Sequence, residues 1–299
     1  QQALSVGGRG WPAGTVFLDA AAAKAAAAKA VPGQSWTAVG SVPSAAEPLR
    51  APRVGLYKPW MASMDEGWTR FVLEQYGFEP KTLDNKTVRA GGLNAAFDAI
   101  VLPDVTKEVV ATGKPKRDEG AMRYFPELPP EYAGGLEKEG AAALKDFVEK
   151  GGTLVALSSS TEYLIDELAL PVRNGLSRAS EFAIAGSILR AEVVPDHPVT
   201  YGLPREVAVF QDEALAFDTV LPGPEMERRV LATYPAASQD VLLSGWMRGP
   251  EAITRKAAAV ALTYDKGRVV LLGFRAQHRA QTPGTFPFLF GALYWSTAK

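Results

Sequence analysis

Between Arg53 and Pro171, short apolar runs alternate with longer segments of mixed polarity. The run FDAIVLPD is continuously apolar at its centre rather than alternating, which is typical of a strand buried on both faces of a parallel sheet. Helix-length segments separate most of these runs, so the order is strand, helix, strand. The pattern predicts an α/β fold, a doubly wound and mostly parallel sheet of the flavodoxin-like type. The predicted strands are RVGLYK (53–58), EPKTLD (79–84), FDAIVLPD (97–104) and TLVALSSS (153–160).

Start and stop signals place the helices of this region. Ser63 followed by Glu66 forms a capping-box pattern, which predicts a helix that runs to about Tyr76 and ends at Gly77. Asp65 and Glu66 lie in its first turn, where acidic side chains favour the helix dipole, so a structural use of both is favoured over a paired-carboxylate site. Further helices are predicted over 137–150 and 161–170.

The pattern changes after Pro171. Short strand-like runs follow one another with turn residues between them, and YDKG (264–267) is typical of a hairpin turn. We expect antiparallel strands to extend the parallel sheet here. A closing helix is predicted over about 284–296.

Residues 1–52 differ from the rest of the chain. We expect a short strand within WPAGTVFLD (11–19), an alanine-rich helix over 20–30 capped by Asp19, and a connector rich in Pro and Ser. A boundary near Pro52 would leave 53–299 as the α/β domain. The first residues lack the layout of a signal peptide, so we expect a processed or truncated start.

The segment 104–134 is too long and too polar for an ordinary strand-to-helix connection. It is either a lid or partner-facing loop, or a mobile excursion on the surface.

Composition narrows the function classes. The 32 basic and 33 acidic residues nearly cancel, so charge does not indicate a nucleic-acid partner, and no apolar stretch is long enough to span a membrane. The absence of cysteine excludes disulfides, thiolate metal sites and a cysteine nucleophile. Asp196 and Asp212 lack the clustering of a metal site, and His197 is predicted to lie in a turn. We expect no cofactor and no bound metal.

Candidate chemistry follows three predicted strands, because sites in open α/β sheets form beyond the carboxyl ends of strands. The three segments are LYKPW (56–60), LVALSSS (154–160) and LLGFRAQHR (271–279). Aromatic side chains beside a cation suit a carboxylate-bearing ligand, although aromatic packing under the 104–134 segment is an equal alternative. The candidate ligand-binding residues are Lys58, Trp60, Trp68, Asp104 and Ser159.

These strand ends, together with FVEKGGTLVAL (147–157), resemble the class I glutamine amidotransferase-like fold. That resemblance implies a nucleophile turn after one strand and a His-Pro-Glu step after a later one, completing a Cys-His-Glu triad. The nucleophile position falls on Ser158, and the His-Pro-Glu step falls on Arg275, Ala276 and Gln277. All three triad positions therefore depart from the working pattern, which implies a degenerate triad.

A narrower resemblance is carried by AEVVPDHPVTYGLP (191–204), GGTLVAL (151–157) and GRVVLLGFRAQHRAQTPGTFPFLFGALY (267–294). These segments look like the C-terminal amidotransferase-like domain of bacterial secreted proteins of the zinc carboxypeptidase A type. The resemblance implies an N-terminal zinc peptidase domain as a partner and a secreted or periplasmic location. This chain has only His197 and His278, and neither begins a His-x-x-Glu motif, so the peptidase zinc site is absent from it.

The leading hypothesis is a non-catalytic accessory domain that binds a small polar ligand or a partner. One alternative is a serine-dependent hydrolase or amidase that uses Ser158, with His278 as base and the Ser159 N–H as oxyanion donor. Another is a sugar- or peptide-binding module that uses Trp60, Trp68 and the 104–134 segment.

Overall fold

A computed structural model describes residues 4–6, 9–28, 36–44, 46–115 and 129–298. The chain divides into two compact units, one made mostly of the first 49 residues and the other of Arg50–Thr297. The predicted domain boundary at Pro52 lies close to this division and stays a prediction. No helix among the described residues is long and apolar enough to cross a membrane.

The first unit contains a small antiparallel pair, β1 (Leu4–Val6) with β2 (Arg9–Trp11), and the helix α1 (Ala20–Ala27). Asp19 caps α1 as predicted, accepting a hydrogen bond from the Ala22 N–H at 2.7 Å. The expectation of a strand within 11–19 was wrong beyond Trp11, because residues 12–19 pair with no strand among the described residues. Positions 29 and 30 of the predicted helix lie outside the described residues.

Five parallel strands form one half of the main sheet, in the order β16, β6, β5, β3, β4. The chain runs from β3 outward to β4 and then returns to β5 on the other side of β3, so the winding direction reverses between β3 and β5. The strands are β3 (Val54–Tyr57), β4 (Lys81–Leu83), β5 (Ala99–Leu102), β6 (Thr153–Leu157) and β16 (Gly267–Leu272).

Antiparallel strands extend the sheet from β16, as predicted, in the order β15, β12, β9 and β10. The predicted hairpin turn at Tyr264–Gly267 joins β15 to β16. Strands β8 and β14 form a separate pair. The remaining strands are β7 (Val172–Asn174), β8 (Ala183–Ile184), β9 (Ser187–Val193), β10 (Glu206–Gln211), β11 (Phe217–Thr219), β12 (Met226–Thr233), β13 (Leu242–Ser244), β14 (Met247–Arg248) and β15 (Ala257–Tyr264).

Six helices accompany the second unit among the described residues, and the predicted helices are confirmed within a few residues at their ends. They are α2 (Met64–Gln75), α3 (Asn85–Ala90), α4 (Lys107–Thr112), α5 (Glu137–Glu149), α6 (Ser160–Glu167) and α7 (Phe286–Trp295). Ser63 caps α2 by accepting from the Glu66 N–H at 3.1 Å. The Glu66 carboxylate accepts from Arg70 one turn later, so the side-chain half of the predicted capping box is replaced by an i,i+4 ion pair.

The sheet is buried on both faces. Successive residues of β6 belong alternately to two apolar clusters, Leu154 and Ala156 to one and Val155 and Leu157 to the other. Helix α7 covers one face with side chains such as Phe288, and α5 covers the other face. This arrangement confirms the α/β fold class, because a strand buried on both sides requires helices on both sides.

The 104–134 segment contains α4 and a 3-10 turn at Pro130–Tyr132. Its central part, 116–128, lies outside the described residues, so the lid or partner-facing loop stays a prediction.

Candidate functional site

One arginine stands among three carboxylates beyond the carboxyl ends of the strands. Arg275 Nη1 lies 3.2 Å from Asp65 Oδ2, and Arg275 Nε lies 2.9 Å from Asp104 Oδ2 and 3.1 Å from Asp212 Oδ1. We call Arg275 with Asp65, Asp104 and Asp212 the Arg275 cluster. The cluster is largely buried: the Arg275 side chain is 18% exposed and the Asp104 side chain 7%.

Each member of the Arg275 cluster is placed by the start or end of an element. Asp65 is in the first turn of α2, Asp104 follows β5, Asp212 directly follows β10, and Arg275 follows β16. The Arg275 N–H also donates to the Phe210 carbonyl at 3.3 Å, which links the end of β16 to the end of β10.

Two members of the Arg275 cluster, Asp65 and Asp212, were not predicted from the sequence to belong to a site. Asp65 was assigned to the helix start alone and Asp212 to no site, whereas the structure brings both to Arg275. The sequence shows that Asp212 directly follows a strand-like run, which is a common place for a site residue. That run does not indicate which strands pair with β10, so the contact between Asp212 and Arg275 could not be predicted from it.

The contacts around Arg275 Nε are ion pairs rather than aligned hydrogen bonds. The separations to Asp104 and Asp212 are short, yet the Nε–H and Asp212 Oδ1 have no hydrogen-bond partner of acceptable angle within the described chain. Charge therefore holds these groups together more than hydrogen-bond geometry does.

Burial changes the proton affinity of the cluster. It raises the pKa of Asp65 to about 6, an effect opposed by Arg275 and reinforced by Asp104 and Asp212. Burial likewise raises the pKa of Asp104, against the opposing charge of Arg275 and a hydrogen bond from Ser159. The neighbouring Glu213 also has a raised pKa, mainly because of burial and then because of Asp104 and Asp212. One cation therefore does not fully compensate the carboxylates around it.

These shifts predict that the stability of the fold depends on pH, and that Asp65→Asn should remove part of this dependence. Below the unfolded pKa, the carboxyl is protonated in both states and does not lower stability. As pH rises from about 4 towards the folded pKa of about 6, the unfolded state releases its proton first, so the folded state becomes less stable. We expect the stability of the wild type relative to Asp65→Asn to fall between pH 4.5 and pH 7, as measured by urea unfolding at both values. A difference that stays constant, or grows in favour of the wild type, would contradict the raised pKa.

Ser158 lies in a tight turn between β6 and α6. Its φ is +49°, in the left-handed region, and its N–H donates to the Leu272 carbonyl at 2.8 Å. The side chain is fully buried, and Oγ has no hydrogen-bond partner among the described residues. A turn of this shape is the geometry expected of a nucleophile elbow, but no described residue accepts a hydrogen bond from its hydroxyl.

The Ser159 N–H, the predicted oxyanion donor, is already engaged. It donates to Asp104 Oδ1 at 3.0 Å. A negative charge developing at this N–H would meet the Asp104 carboxylate, which would oppose it rather than stabilise it.

His278 and Gln277 are held by other contacts. The His278 ring stacks on Phe210 with centroids 3.7 Å apart and planes 16° apart. Burial and the charge of Arg275 lower the pKa of His278. Gln277 Nε2 donates to Thr69 Oγ1 at 3.1 Å and to Asp65 Oδ1 at 3.3 Å, so it ties the end of β16 to α2.

The aromatic candidates do not share one pocket. Trp60 lines a cleft of about 290 Å³, whereas Trp68 packs edge-to-face on Phe71 with centroids 5.8 Å apart. Lys58 is exposed and lines neither this cleft nor a larger one beside α6. The larger cleft, of about 560 Å³, is lined by side chains of both charges, including Lys107, Glu162, Asp166, Arg173, Arg178 and Asp218.

Metal-ligating groups are not assembled in the part of the chain that the structure describes, where no three acidic or histidine residues are arranged to hold an ion. His197 lies in a turn, as predicted, and its Nδ1 accepts from the Val199 N–H at 3.2 Å. Burial, with Arg229 and Arg268, lowers the pKa of His197 to about 4.

No known family profile and no curated protein matches this chain. Among solved structures, PurLQS from Thermotoga maritima is similar over 82% of this chain and 98% of its own, with 14% identity and a TM-score of 0.51. A cytoplasmic protein from Salmonella typhimurium covers 82% of this chain and 99% of its own, at 14% identity and a TM-score of 0.48. A glutamine amidotransferase from T. maritima covers 81% and 83%, at 14% identity and 0.45. At 14% identity the likeness to PurLQS concerns the fold alone, and it agrees with the predicted α/β fold class.

Proposed function

We propose that this chain is a non-catalytic domain of amidotransferase-like fold, which acts by binding a small polar ligand or a partner. The proposal rests on the engagement of Asp104 with both Arg275 and the Ser159 N–H. The Asp104 carboxylate, the Arg275 guanidinium and the Ser159 N–H, which would surround a reacting carbonyl, therefore bind one another instead. In this interpretation the triad positions Ser158, Arg275 and Gln277 are degenerate.

A serine nucleophile needs a base to accept its proton. Arg275, at the position of the triad histidine, cannot serve because a guanidinium keeps its proton at any ordinary pH. The alternative base, His278, is stacked on Phe210, and no hydrogen bond joins it to the buried Ser158 Oγ. The geometry therefore favours binding over hydrolysis.

Replacing Ser158 with alanine tests this proposal. Because the hydroxyl is buried without a partner, its removal should leave the free energy of unfolding unchanged or raise it by up to about 1 kcal/mol. Any background ester hydrolysis should be unaffected. Urea unfolding and turnover of a nitrophenyl ester measure the two quantities.

The matched control is Ser160→Ala, in the same turn. Ser160 Oγ bonds to the Leu157 N–H at 3.1 Å and to the Leu102 carbonyl at 3.1 Å, so its loss should cost about 1–2 kcal/mol. A hydrolase activity that disappears with Ser158→Ala and survives Ser160→Ala would establish the rival serine hydrolase instead.

We also propose that the domain accompanies an N-terminal zinc peptidase domain in a secreted or periplasmic protein. Only the sequence resemblance over segments such as 191–204 and 267–294 supports this proposal. The mass and N-terminal sequence of the native gene product test it. A product that contains a zinc peptidase domain before Gln1 is expected, and a native product that lacks one would refute the association.

A further inference from the structure

A second region of the carboxyl edge combines an aromatic ring with two cations. We call it the Trp60 cleft. Its volume is about 290 Å³, and it is lined by Trp60, Lys86, Arg89, Pro130, Glu131 and Ala133. None of these residues belongs to the Arg275 cluster.

The position of the cleft follows from the winding of the sheet. Trp60 follows the carboxyl end of β3, and Lys86 lies in the first turn of α3, directly after β4. The winding reverses between β3 and β5, and ligands of open α/β sheets bind in the crevice between the loops that follow two such strands. Trp60 belongs to the loop after β3, and Pro130, Glu131 and Ala133 belong to the connection after β5.

Buried hydrogen bonds fix the walls of the Trp60 cleft. The Tyr57 hydroxyl at the end of β3 donates to Asn85 Oδ1 at 2.7 Å, and Asn85 Nδ2 donates to the Gly134 carbonyl at 2.8 Å. Tyr57 and Asn85 are both fully buried. The start of α3 is thus tied to β3 on one side and to the 129–134 segment on the other, which preorganises the cleft before any ligand arrives.

The two cations are available to a ligand. Lys86 and Arg89 are three residues apart on α3 and therefore lie on the same side of the helix. Neither has an ion-pair partner in the described parts of the chain, although Arg89 Nε donates to the Asn85 carbonyl at 3.3 Å. Glu131 is the one carboxylate among the lining residues that the structure describes, so these residues together carry a net positive charge.

The aromatic wall adds a surface for a ring. Trp60 is half-buried and packs edge-to-face on Tyr132, with centroids 5.2 Å apart and planes 77° apart. This contact holds the indole in place, and an ordered indole presents apolar area at low entropic cost.

We propose that the Trp60 cleft binds a small anionic ligand that carries a ring, with its carboxylate or phosphate held by Lys86 and Arg89 and its ring against Trp60. The volume suits a molecule of about monosaccharide size, at the lower end of ligand pockets. This inference rests on the proposed ligand-binding role and gives it a ligand class and a place.

Calorimetric titration of the full chain tests the inference. The probes are D-glucuronate, D-glucose 6-phosphate and benzoate, with neutral D-glucose as the reference. We expect at least one anionic probe to bind more tightly than glucose and to bind less tightly as NaCl is raised, because a charged contact is screened by salt. The first two probes distinguish a carboxylate from a phosphate, and benzoate shows whether an aromatic ring replaces a sugar ring.

Variants assign the binding to the cleft. Arg89→Gln and Lys86→Gln should each weaken binding of that probe on the order of tenfold, since each removes a charge-assisted hydrogen bond. Trp60→Leu should weaken it as well. The matched control is Lys266→Gln, which removes an exposed lysine in the β15–β16 turn and should leave affinity unchanged.

Two results would overturn the inference. One is the absence of binding by all three anionic probes at millimolar concentration, and the other is binding that persists unchanged in Arg89→Gln and Trp60→Leu variants with wild-type urea midpoints. Neither result bears on the proposal that Ser158 is not a nucleophile, because the hydrolysis assay of the Ser158→Ala variant tests that proposal separately.

Discussion

Replacing Arg275 with leucine should destabilise the domain by on the order of 3–5 kcal/mol at pH 7. The substitution leaves the carboxylates of Asp65, Asp104 and Asp212 facing one another in a largely buried site with no cation among them. Removing one partner of a buried ion pair is costly because the remaining charge stays desolvated and uncompensated. Arg275 holds the pKa of Asp65 down to about 6, so its removal should raise that pKa further. The loss should therefore shrink towards pH 5, where Asp65 is protonated with or without Arg275.

Urea unfolding at pH 7 and pH 5 measures this loss, with Arg173→Leu as the control. Arg173 pairs with Asp218 at 3.4 Å, but its side chain is 72% exposed, so its removal should cost less than about 1 kcal/mol. An Arg275→Leu variant as stable as Arg173→Leu at both pH values would mean that the Arg275 cluster does not stabilise the domain.

Replacing Gly267 with alanine should also destabilise the domain, lowering its free energy of unfolding by about 3 kcal/mol. Gly267 begins β16, and a Cβ there would overlap the backbone carbonyl oxygens of Val148 and Gly152. Backbone atoms cannot relieve an overlap by changing rotamer, so α5 or β16 must move. The Arg268 N–H donates to the Gly152 carbonyl at 3.0 Å, and that bond would be strained by the movement.

Gly67→Ala is the matched control for this prediction. Gly67 lies inside α2, and nothing would lie within 4 Å of an added Cβ. Alanine should therefore raise stability by up to about 1 kcal/mol through helix propensity alone. Thermal unfolding of both variants gives the comparison, and a Gly267→Ala variant with a wild-type midpoint would contradict the close approach of α5 and β16.

Local signals were sufficient for most elements of the fold. The continuous apolar run at 99–102 indicated a strand covered on both faces, and Ser63 marked the start of α2. The hairpin at 264–267 followed from turn chemistry. These features depend on residues near one another in sequence, so propensity and periodicity carry them.

The site could not be derived in the same way. Asp65 and Arg275 are separated by 210 positions, and their contact depends on how α2 packs against the end of β16. A first-turn acidic residue is an ordinary helix feature, which gave no reason to assign Asp65 to a charge cluster. The second half of the capping box failed for a local reason, because the Glu66 carboxylate pairs with Arg70 four residues later.

The strand expected within 11–19 failed because a strand needs a neighbour. TVFL has strand propensity, but the backbone pairing in this region joins residues 4–6 with 9–11. Propensity alone does not satisfy backbone hydrogen bonds, and the stretch after Trp11 finds no partner strand in the described part of the first unit.

Exposure of the intact protein to a fluorophosphonate probe, followed by intact-mass measurement and peptide mapping, tests most directly whether Ser158 is inactive. A serine that has no base, is fully buried and precedes an N–H already bound to Asp104 should form no adduct. We therefore expect an unchanged mass and no modified peptide around 153–160. A single adduct that maps to Ser158 and is absent from the Ser158→Ala variant would contradict the assignment of a non-catalytic domain.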